Sequence, residues 1–345
     1  SLITGTFTIA AVSFVSGVLL TNIPLLSGFP AMDLSIAVLI ICGLILLLGK
    51  YKALDLSSKF LVSLLTFLTL FAVISLLLKG SYSQQLSSSW VMPETNPWKL
   101  SNLSFLIPLM GWMPCPVELC VWPSLWMFSK NRVHNYKPTL KEAEFDFNLG
   151  YLITVITAIF FVTLGAITMY GTGKSMLTGG GVSFAQNLIS LYTESIGGWA
   201  WWVIVPASFA AMFSTTLTCL DAYPRSISSI QGLIKGSDKG RMETSNEQNR
   251  FTIWMIIHIF AALTALLIAR SGGIGVKDFV FGAMTGSFLS APIFAWMAFD
   301  TMNSDLVDKK FKYGKFLNLL SSAGLLFLTL FSLLFIMNSF LGIGI

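Results

Sequence analysis

Charged residues are scarce in this sequence. Only 11% of its 345 residues are Asp, Glu, Lys or Arg, whereas a soluble domain carries about 25%. With 54% hydrophobic residues as well, the composition excludes an ordinary soluble domain and indicates a polytopic membrane protein. We interpret the net charge of +5 as a signal of membrane topology, and we expect no nucleic-acid partner.

Cysteine and histidine are also few. The four cysteines all fall in apolar segments, which argues against a disulfide framework or a zinc cluster. Two histidines are too few for a histidine-rich metal site, and His258, alone in an apolar run, is interpreted as a hydrogen-bonded packing residue. No cleavable signal peptide is visible. No paired His and Asp suggests a catalytic site, so we expect no enzyme and no cofactor.

Long apolar runs are what the sequence has in abundance. A helix needs about 17–25 apolar residues to cross a bilayer, and helices are the structure expected at that length. Nine runs fit: 2–22, 34–49, 58–78, 103–128, 148–170, 199–223, 251–269, 279–299 and 316–338. We therefore predict an all-α membrane protein in which residues 1–345 form a single transmembrane domain. Because the chain is apolar from Leu2 onward, without a preceding basic flank, we also expect it to be truncated at its N-terminus.

The basic residues predict an orientation. Of the 21 Lys and Arg residues, 16 fall in alternate loops, at 50–59, 130–141, 225–250 and 309–315. By the positive-inside rule these loops are cytoplasmic, so the chain is predicted to start inside and end outside a bacterial-type inner membrane. In the outer loop 182–196, Phe184, Leu188, Leu191 and Tyr192 share one helical face, which predicts a short helix lying across the outer surface.

Residues 109–126, "LMGWMPCPVELCVWPSLW", combine an apolar span with helix-breaking prolines. Pro114 removes the helical partner of the Met110 carbonyl, and Pro116 removes that of Trp112. Gly111 adds local freedom. Two free carbonyls in a membrane are costly unless a cation, a polar substrate or water satisfies them, and secondary transporters often build their sites at such breaks. The pattern predicts a broken helix that binds a substrate.

Two side chains near this break are candidates for the chemistry. Met113 places a soft thioether beside the free carbonyls, which favours a metal that tolerates sulfur. Glu118 lies about one turn further on, and an ionisable residue inside a span is a functional candidate by default. Glu118 could hold a proton, pair with a cation or face an aqueous vestibule.

Two other predicted spans contain weaker candidates for functional residues. Asp221 follows the hydroxyl-rich stretch "FSTTLTC" and lies four residues before Arg225, so it is either a coupling residue or one half of a local ion pair. Ser290 lies just before Pro292, which frees the carbonyl of Phe288 and predicts a second weak point in a different helix.

These features resemble the natural resistance-associated macrophage protein (NRAMP) family of divalent metal transporters. The family's broken helix reads Met-Pro-His, and "GWMPCPVE" supplies Met113-Pro114 with Cys115 in the histidine position. Asn148-Leu149 matches the opening of the next family helix, and the Ser/Thr-rich stretch at 213–219 has a family counterpart. The resemblance covers most of the chain, chiefly as topology.

The resemblance implies a leucine-transporter-like fold of eleven helices in two inverted repeats, with the first two helices missing here. Met113 and the carbonyl of Met110 would bind a manganese- or iron-like divalent cation, with magnesium as a further candidate. Cys115 and Ser290 are further candidates for the substrate-binding site. Cys115 and Cys120 replace histidines of the family's proton route, so Glu118 would carry any coupling proton.

Further features of the resemblance concern specificity and assembly. Ser290 stands where the family has a glutamine ligand, which indicates a divergent branch. We expect a monomer or a weak homo-oligomer in the lipid bilayer.

Three alternatives stay open. A sodium- or proton-coupled symporter of amino acids or similar small solutes would use the same fold. A sensor that kept the fold and lost transport would tolerate the cysteine replacements. A membrane-embedded enzyme is the third, without a visible set of catalytic residues.

Overall fold

The computed structural model describes residues 2–48, 51–79, 106, 109–112, 116–127, 138–169, 180–235 and 245–340. Within these ranges all regular elements are helical, as predicted. Six helices are long and apolar enough to cross a membrane by length and composition. This architecture is that of an integral, multi-pass membrane protein.

Nine long helices follow one another in this described part of the chain. They are α1 (Leu2–Leu20), α2 (Ala31–Leu48), α3 (Tyr51–Lys79), α4 (Leu140–Met169), α5 (Gly180–Ile196), α6 (Trp201–Ile234), α7 (Ser245–Gly272), α8 (Val276–Asn303) and α9 (Lys315–Phe340). The six long apolar candidates are α1, α4, α6, α7, α8 and α9, while α2 and Thr66–Leu78 of α3 are shorter apolar helices. Eight of the nine predicted spans thus coincide with a helix.

The described residues form two compact units. Unit 1 falls within Ser1–Val91 and Ser124–Val280, and unit 2 within Met92–Pro123 and Phe281–Ile345. The prediction of a single domain over residues 1–345 stays a prediction.

Helix α1 is the centre of unit 1, where it packs against α2, α6 and α7. In its apolar span 72% of the residues are buried, against 11% in α4 and in α9. The buried hydroxyls of Ser13 and Ser16 donate to the carbonyls of Ile9 and Val12 at 2.7 and 2.8 Å, so both are satisfied within the helix. These bonds let a helix with polar side chains lie in an apolar core.

A second core of unit 1 joins α3, α4, α5 and the start of α6. Helix α5 confirms the predicted helix at 182–196 and buries Leu191 and Tyr192 of the predicted face. The Tyr192 hydroxyl lies 3.0 Å from Thr69 Oγ1 of α3. Burial raises the pKa of Tyr192 to about 12, against the lowering effect of that hydrogen bond, so the phenol is neutral at physiological pH.

Unit 2 is built on α8 from Phe281 onward and on α9. Phe288 and Phe335 are its buried apolar centre, with Met110 packed against them. At one end, the side-chain amides of Asn303 and Asn318 exchange hydrogen bonds of 3.2 Å. These side-chain contacts connect α8 to α9, and the Phe288 and Phe335 cluster is where Met110 packs.

Candidate functional site

The proline-rich segment does not continue as one helix through Pro116. Residues 109–112 are helical, Pro116 is extended with φ −58° and ψ 137°, and a 3-10 helix over Val117–Val121 begins directly after it. Met113, Pro114 and Cys115 lie outside the described residues. The break at Pro114 and the ligand roles of Met113 and Cys115 therefore stay predictions.

Glu118 is a buried acid of unit 2, with a relative exposure of 4%. Its carboxylate faces α8, where Ser290 Oγ donates to Oε2 at 2.9 Å and Ser287 Oγ donates to Oε1 at 3.4 Å. The two serines are three residues apart, so they share one face of α8. The structure thus brings together two residues that the sequence singled out separately, Glu118 and Ser290.

An indole extends this hydrogen-bonded group. Trp112 Nε1 donates to Ser287 Oγ at 3.2 Å, and Ser287 donates in turn to Glu118. Two consecutive hydrogen bonds therefore connect Trp112 through Ser287 of α8 to the Glu118 carboxylate. Sequence reasoning singled out the carbonyl of Trp112 but missed its indole and Ser287, although a tryptophan N–H inside an apolar run needs an acceptor and Ser287 is one turn from Ser290.

Ser290 has two acceptors for its single hydroxyl proton. Besides Glu118 Oε2, the carbonyl oxygen of Ser287 lies 2.9 Å from Ser290 Oγ. When Glu118 is ionised, Ser290 can donate to the carboxylate. When Glu118 is protonated, its O–H can donate to Ser290 Oγ while Ser290 donates to the Ser287 carbonyl. The same atoms can therefore satisfy both protonation states.

Close backbone packing places residues 109–112 on α8. A Cβ added at Gly111 would overlap the carbonyl oxygen of Met284 and come within 3.0 Å of the Phe288 nitrogen. Met110 packs its side chain on the Phe288 and Phe335 cluster. Its thioether is thus engaged in apolar packing, and the predicted ligand role of Met110 would fall to its carbonyl.

Cys120 is exposed, whereas Glu118 is buried two residues before it in the same 3-10 helix. The cysteine is therefore not part of the group formed by Glu118, Ser287 and Ser290 as the structure describes it. Its predicted place in a proton route stays a prediction.

Asp221 belongs to unit 1 and has its own partners. Arg225 donates to it with two nitrogens, at 2.6 and 2.9 Å, and Trp126 Nε1 donates to Oδ2 at 2.9 Å. The guanidinium also lies 4.8 Å from the ring centroid of Phe251 in α7, a cation–π contact. Asp221 thus ties the short helix 122–127 to α6, and its coupling role stays a prediction.

The described residues contain no group of three or more His, Cys, Asp or Glu side chains that could hold a metal ion. The predicted ligands are of another kind, a thioether and peptide carbonyls, and Met113 lies outside this part of the chain. The site that is described consists of one buried carboxylate, two hydroxyls and an indole.

The fold and this site are those of a multi-pass membrane protein with a hydrogen-bonded acid beside an interrupted helix. Uncharacterized protein PM0681 of Pasteurella multocida (strain Pm70) is 36% identical over 327 residues, which cover 95% of this chain and 71% of the relative. The chain belongs to the same family as that protein. No protein-family model matches the sequence.

Proposed function

We propose that the protein is a secondary active transporter of divalent metal cations, manganese- or iron-like with magnesium as a further candidate, and that Glu118 exchanges the coupling proton. The proposal includes a leucine-transporter-like arrangement related to the NRAMP family. It also includes nine membrane crossings, with the chain starting inside and ending outside.

The observation that carries the proposal is the shared proton of Ser290. Its hydroxyl lies 2.9 Å from both Glu118 Oε2 and the Ser287 carbonyl. A buried acid that only stabilised the fold would need hydrogen-bond partners for just one of its protonation states. This group offers hydrogen bonds to both states, which is what an acid needs if it gains and loses a proton in each cycle.

The position of Glu118 supports coupling between a proton and a cation. An ionised carboxylate at 4% exposure is strongly attracted to any cation that reaches the interrupted segment, whereas the protonated acid is not. A cation and a proton would therefore compete for the same carboxylate, and this competition would couple the movement of one to the movement of the other.

The test is uptake into proteoliposomes that contain the purified protein, with an imposed pH gradient and manganese or cadmium outside. Glu118→Gln should abolish the dependence of uptake on the gradient and leave metal binding measurable. Glu144→Gln is the matched control, because Glu144 is an exposed acid at the start of α4. An unchanged pH dependence in Glu118→Gln would eliminate the coupling role.

The same assay identifies the cargo. Met113→Ala should weaken uptake of manganese or cadmium far more than uptake of calcium, because calcium prefers oxygen ligands. Equal losses for all three ions would count against a sulfur ligand. Amino-acid uptake with no metal uptake would replace the proposal by the symporter alternative.

A further inference from the structure

The connection between α8 and α9 joins two helices that are each long and apolar enough to cross a membrane. It comprises residues 304–314 and lies within unit 2. Because two successive spans leave and re-enter a bilayer on the same side, the residues between them lie at a membrane surface. The side chains of this connection therefore determine what the protein presents to the lipid headgroups there.

Hydrogen bonds hold this connection against the helix ends. The side-chain amides of Asn303 and Asn318 bond to each other at 3.2 Å, which fixes the end of α8 beside the start of α9. Lys312 Nζ donates to the carbonyl oxygen of Asn303 at 3.3 Å, and a short 3-10 helix over Lys309–Phe311 begins directly after Asp308. Because Lys312 reaches back to the end of α8, the connection stays close to the helix ends.

The connection and the start of α9 carry a net positive charge. Four lysines against two aspartates lie here: Lys309, Lys310, Lys312 and Lys315, with Asp305 and Asp308. The two carboxylates lie 3.8 Å from Lys312 and Lys310 and are well exposed, so water weakens both pairs. Lys309 and Lys315 are exposed and form no ion pair within the described part of the chain. At least two ammonium groups are therefore available to an anion from outside the protein.

Large apolar side chains are exposed among these lysines. Leu306 is 88% exposed and Phe316 is 75% exposed, and Lys310 Nζ lies 4.7 Å from the ring centroid of the exposed Phe311. Exposing such side chains to water is unfavourable. At the boundary between headgroups and acyl chains, apolar side chains enter the bilayer while lysines keep their charge beside the headgroups. The mixture of lysines with exposed Leu and Phe therefore favours a lipid contact over a solvated loop.

We propose that residues 304–316 form a binding surface for anionic lipid headgroups. Phosphate oxygens of the headgroup accept hydrogen bonds from the lysine ammonium groups, and Leu306 and Phe316 contact the acyl chains beside them. Charge complementarity selects the lipid, because a zwitterionic headgroup carries no net negative charge for the lysines to attract. The surface is independent of Glu118 and of the identity of the transported solute.

Lipid photolabelling tests this surface in the full chain. A trace of photoactivatable phosphatidylglycerol or phosphatidylcholine, with the reactive group on the same carbon near the glycerol, is added to phosphatidylcholine nanodiscs that hold the protein. Mass spectrometry after digestion with a protease that does not cut at lysine measures the labelling of residues 304–316. Phosphatidylglycerol should label them at least about five-fold more, because each lysine near an anionic surface strengthens the attraction about five-fold.

Removing three of the lysines should abolish this preference. In the triple variant Lys309→Gln, Lys310→Gln and Lys315→Gln, one lysine remains against two aspartates, so the two lipids should label residues 304–316 equally. The matched control is the triple variant Lys141→Gln, Lys235→Gln and Lys277→Gln. It removes the same charge at exposed positions elsewhere in the described chain and should keep the preference.

Equal labelling of the wild-type surface by both lipids would overturn the proposal, and so would an undiminished preference in the first triple variant. A preference that soluble glycerol phosphate removes at constant ionic strength would also overturn it, because the surface would then bind an aqueous anion. If the triple variant fails to fold, the wild-type chain still decides: the preference should fall as salt is raised, and its persistence at high salt would contradict an electrostatic surface. Glu118→Gln should leave the labelling unchanged, so failure of the transport proposal does not affect this test.

Discussion

Asp221 and Asp33 make ion pairs of equal length in very different surroundings. Both lie 2.6 Å from an arginine nitrogen, but the Asp221 and Arg225 side chains are 8% and 18% exposed, against 38% and 54% for Asp33 and Arg270. Burial, not distance, therefore separates the two pairs. Losing one partner of a buried pair strands a charge, whereas an exposed charge is solvated by water.

The difference in burial predicts that replacing Asp221 costs more stability than replacing Asp33. Asp221→Asn should lower the free energy of unfolding by about 3–5 kcal/mol, because it removes the charge from a buried carboxylate that accepts two hydrogen bonds from Arg225. Asp33→Asn should cost at most about 1 kcal/mol. Thermal unfolding of the two variants in the same detergent measures the difference. Equal shifts would show that the Asp221 pair adds no more to stability than a surface pair.

The sequence identified several residues of the site but not their contacts. Glu118 stands out as an acid in an apolar span, and Ser290 because Pro292 follows it. Their contact is invisible in the sequence, because 172 residues separate them and no local periodicity links the two segments. Ser287 was missed because a single serine in an apolar helix usually donates its hydroxyl hydrogen bond to the backbone of its own helix, so its sequence context does not indicate a distant partner.

Among the elements, the segment before Pro116 depends on a glycine for its place. Gly111 lets residues 109–112 lie backbone to backbone with α8, where a Cβ would overlap the Met284 carbonyl. A backbone atom cannot move aside as the end of a side chain can. The site therefore needs glycine at this position for reasons of space.

Substitution by alanine should have opposite effects at different glycines. Gly111→Ala should destabilise the protein by about 1–3 kcal/mol through overpacking. Gly150→Ala and Gly165→Ala in α4, where an added Cβ meets nothing, should be neutral or stabilise by about 0.5–1 kcal/mol. Unfolding midpoints of the three variants test this. Stabilisation by Gly111→Ala would refute the close contact with α8.

The elements themselves were largely predictable. Apolar length located α1 to α4 and α6 to α9, because a span must satisfy its backbone internally, and periodicity located α5. Helix ends were less accurate: α6 runs to Ile234, eleven residues beyond the predicted span, because Pro224 lies inside the helix instead of ending it. The 3-10 helix after Pro116 left no pattern of its own in the sequence.

At the scale of the whole molecule, the described helices differ in how much of each is buried, and α1 at the centre of unit 1 is the extreme case. Only 11% of the residues in the apolar spans of α4 and α9 are buried, against 72% for α1. An apolar helix surface that no other helix covers must face lipid. A photoactivatable lipid should therefore label peptides from α4 and α9 several times more than peptides from α1, as measured by mass spectrometry. Equal labelling of α1 would contradict its central position.

The central place of α1 also has a consequence for biosynthesis. Its side chains meet partners far along the chain: Ser16 contacts Thr216, 200 residues later, and Thr8 contacts Tyr223, 215 residues later. At about 5–20 residues per second of translation, α1 waits roughly 10–40 s for those partners. During that interval the serine- and threonine-bearing surface of α1 has not met its partners on α6, so we expect misassembly and degradation to act mainly on chains that have not yet completed α6.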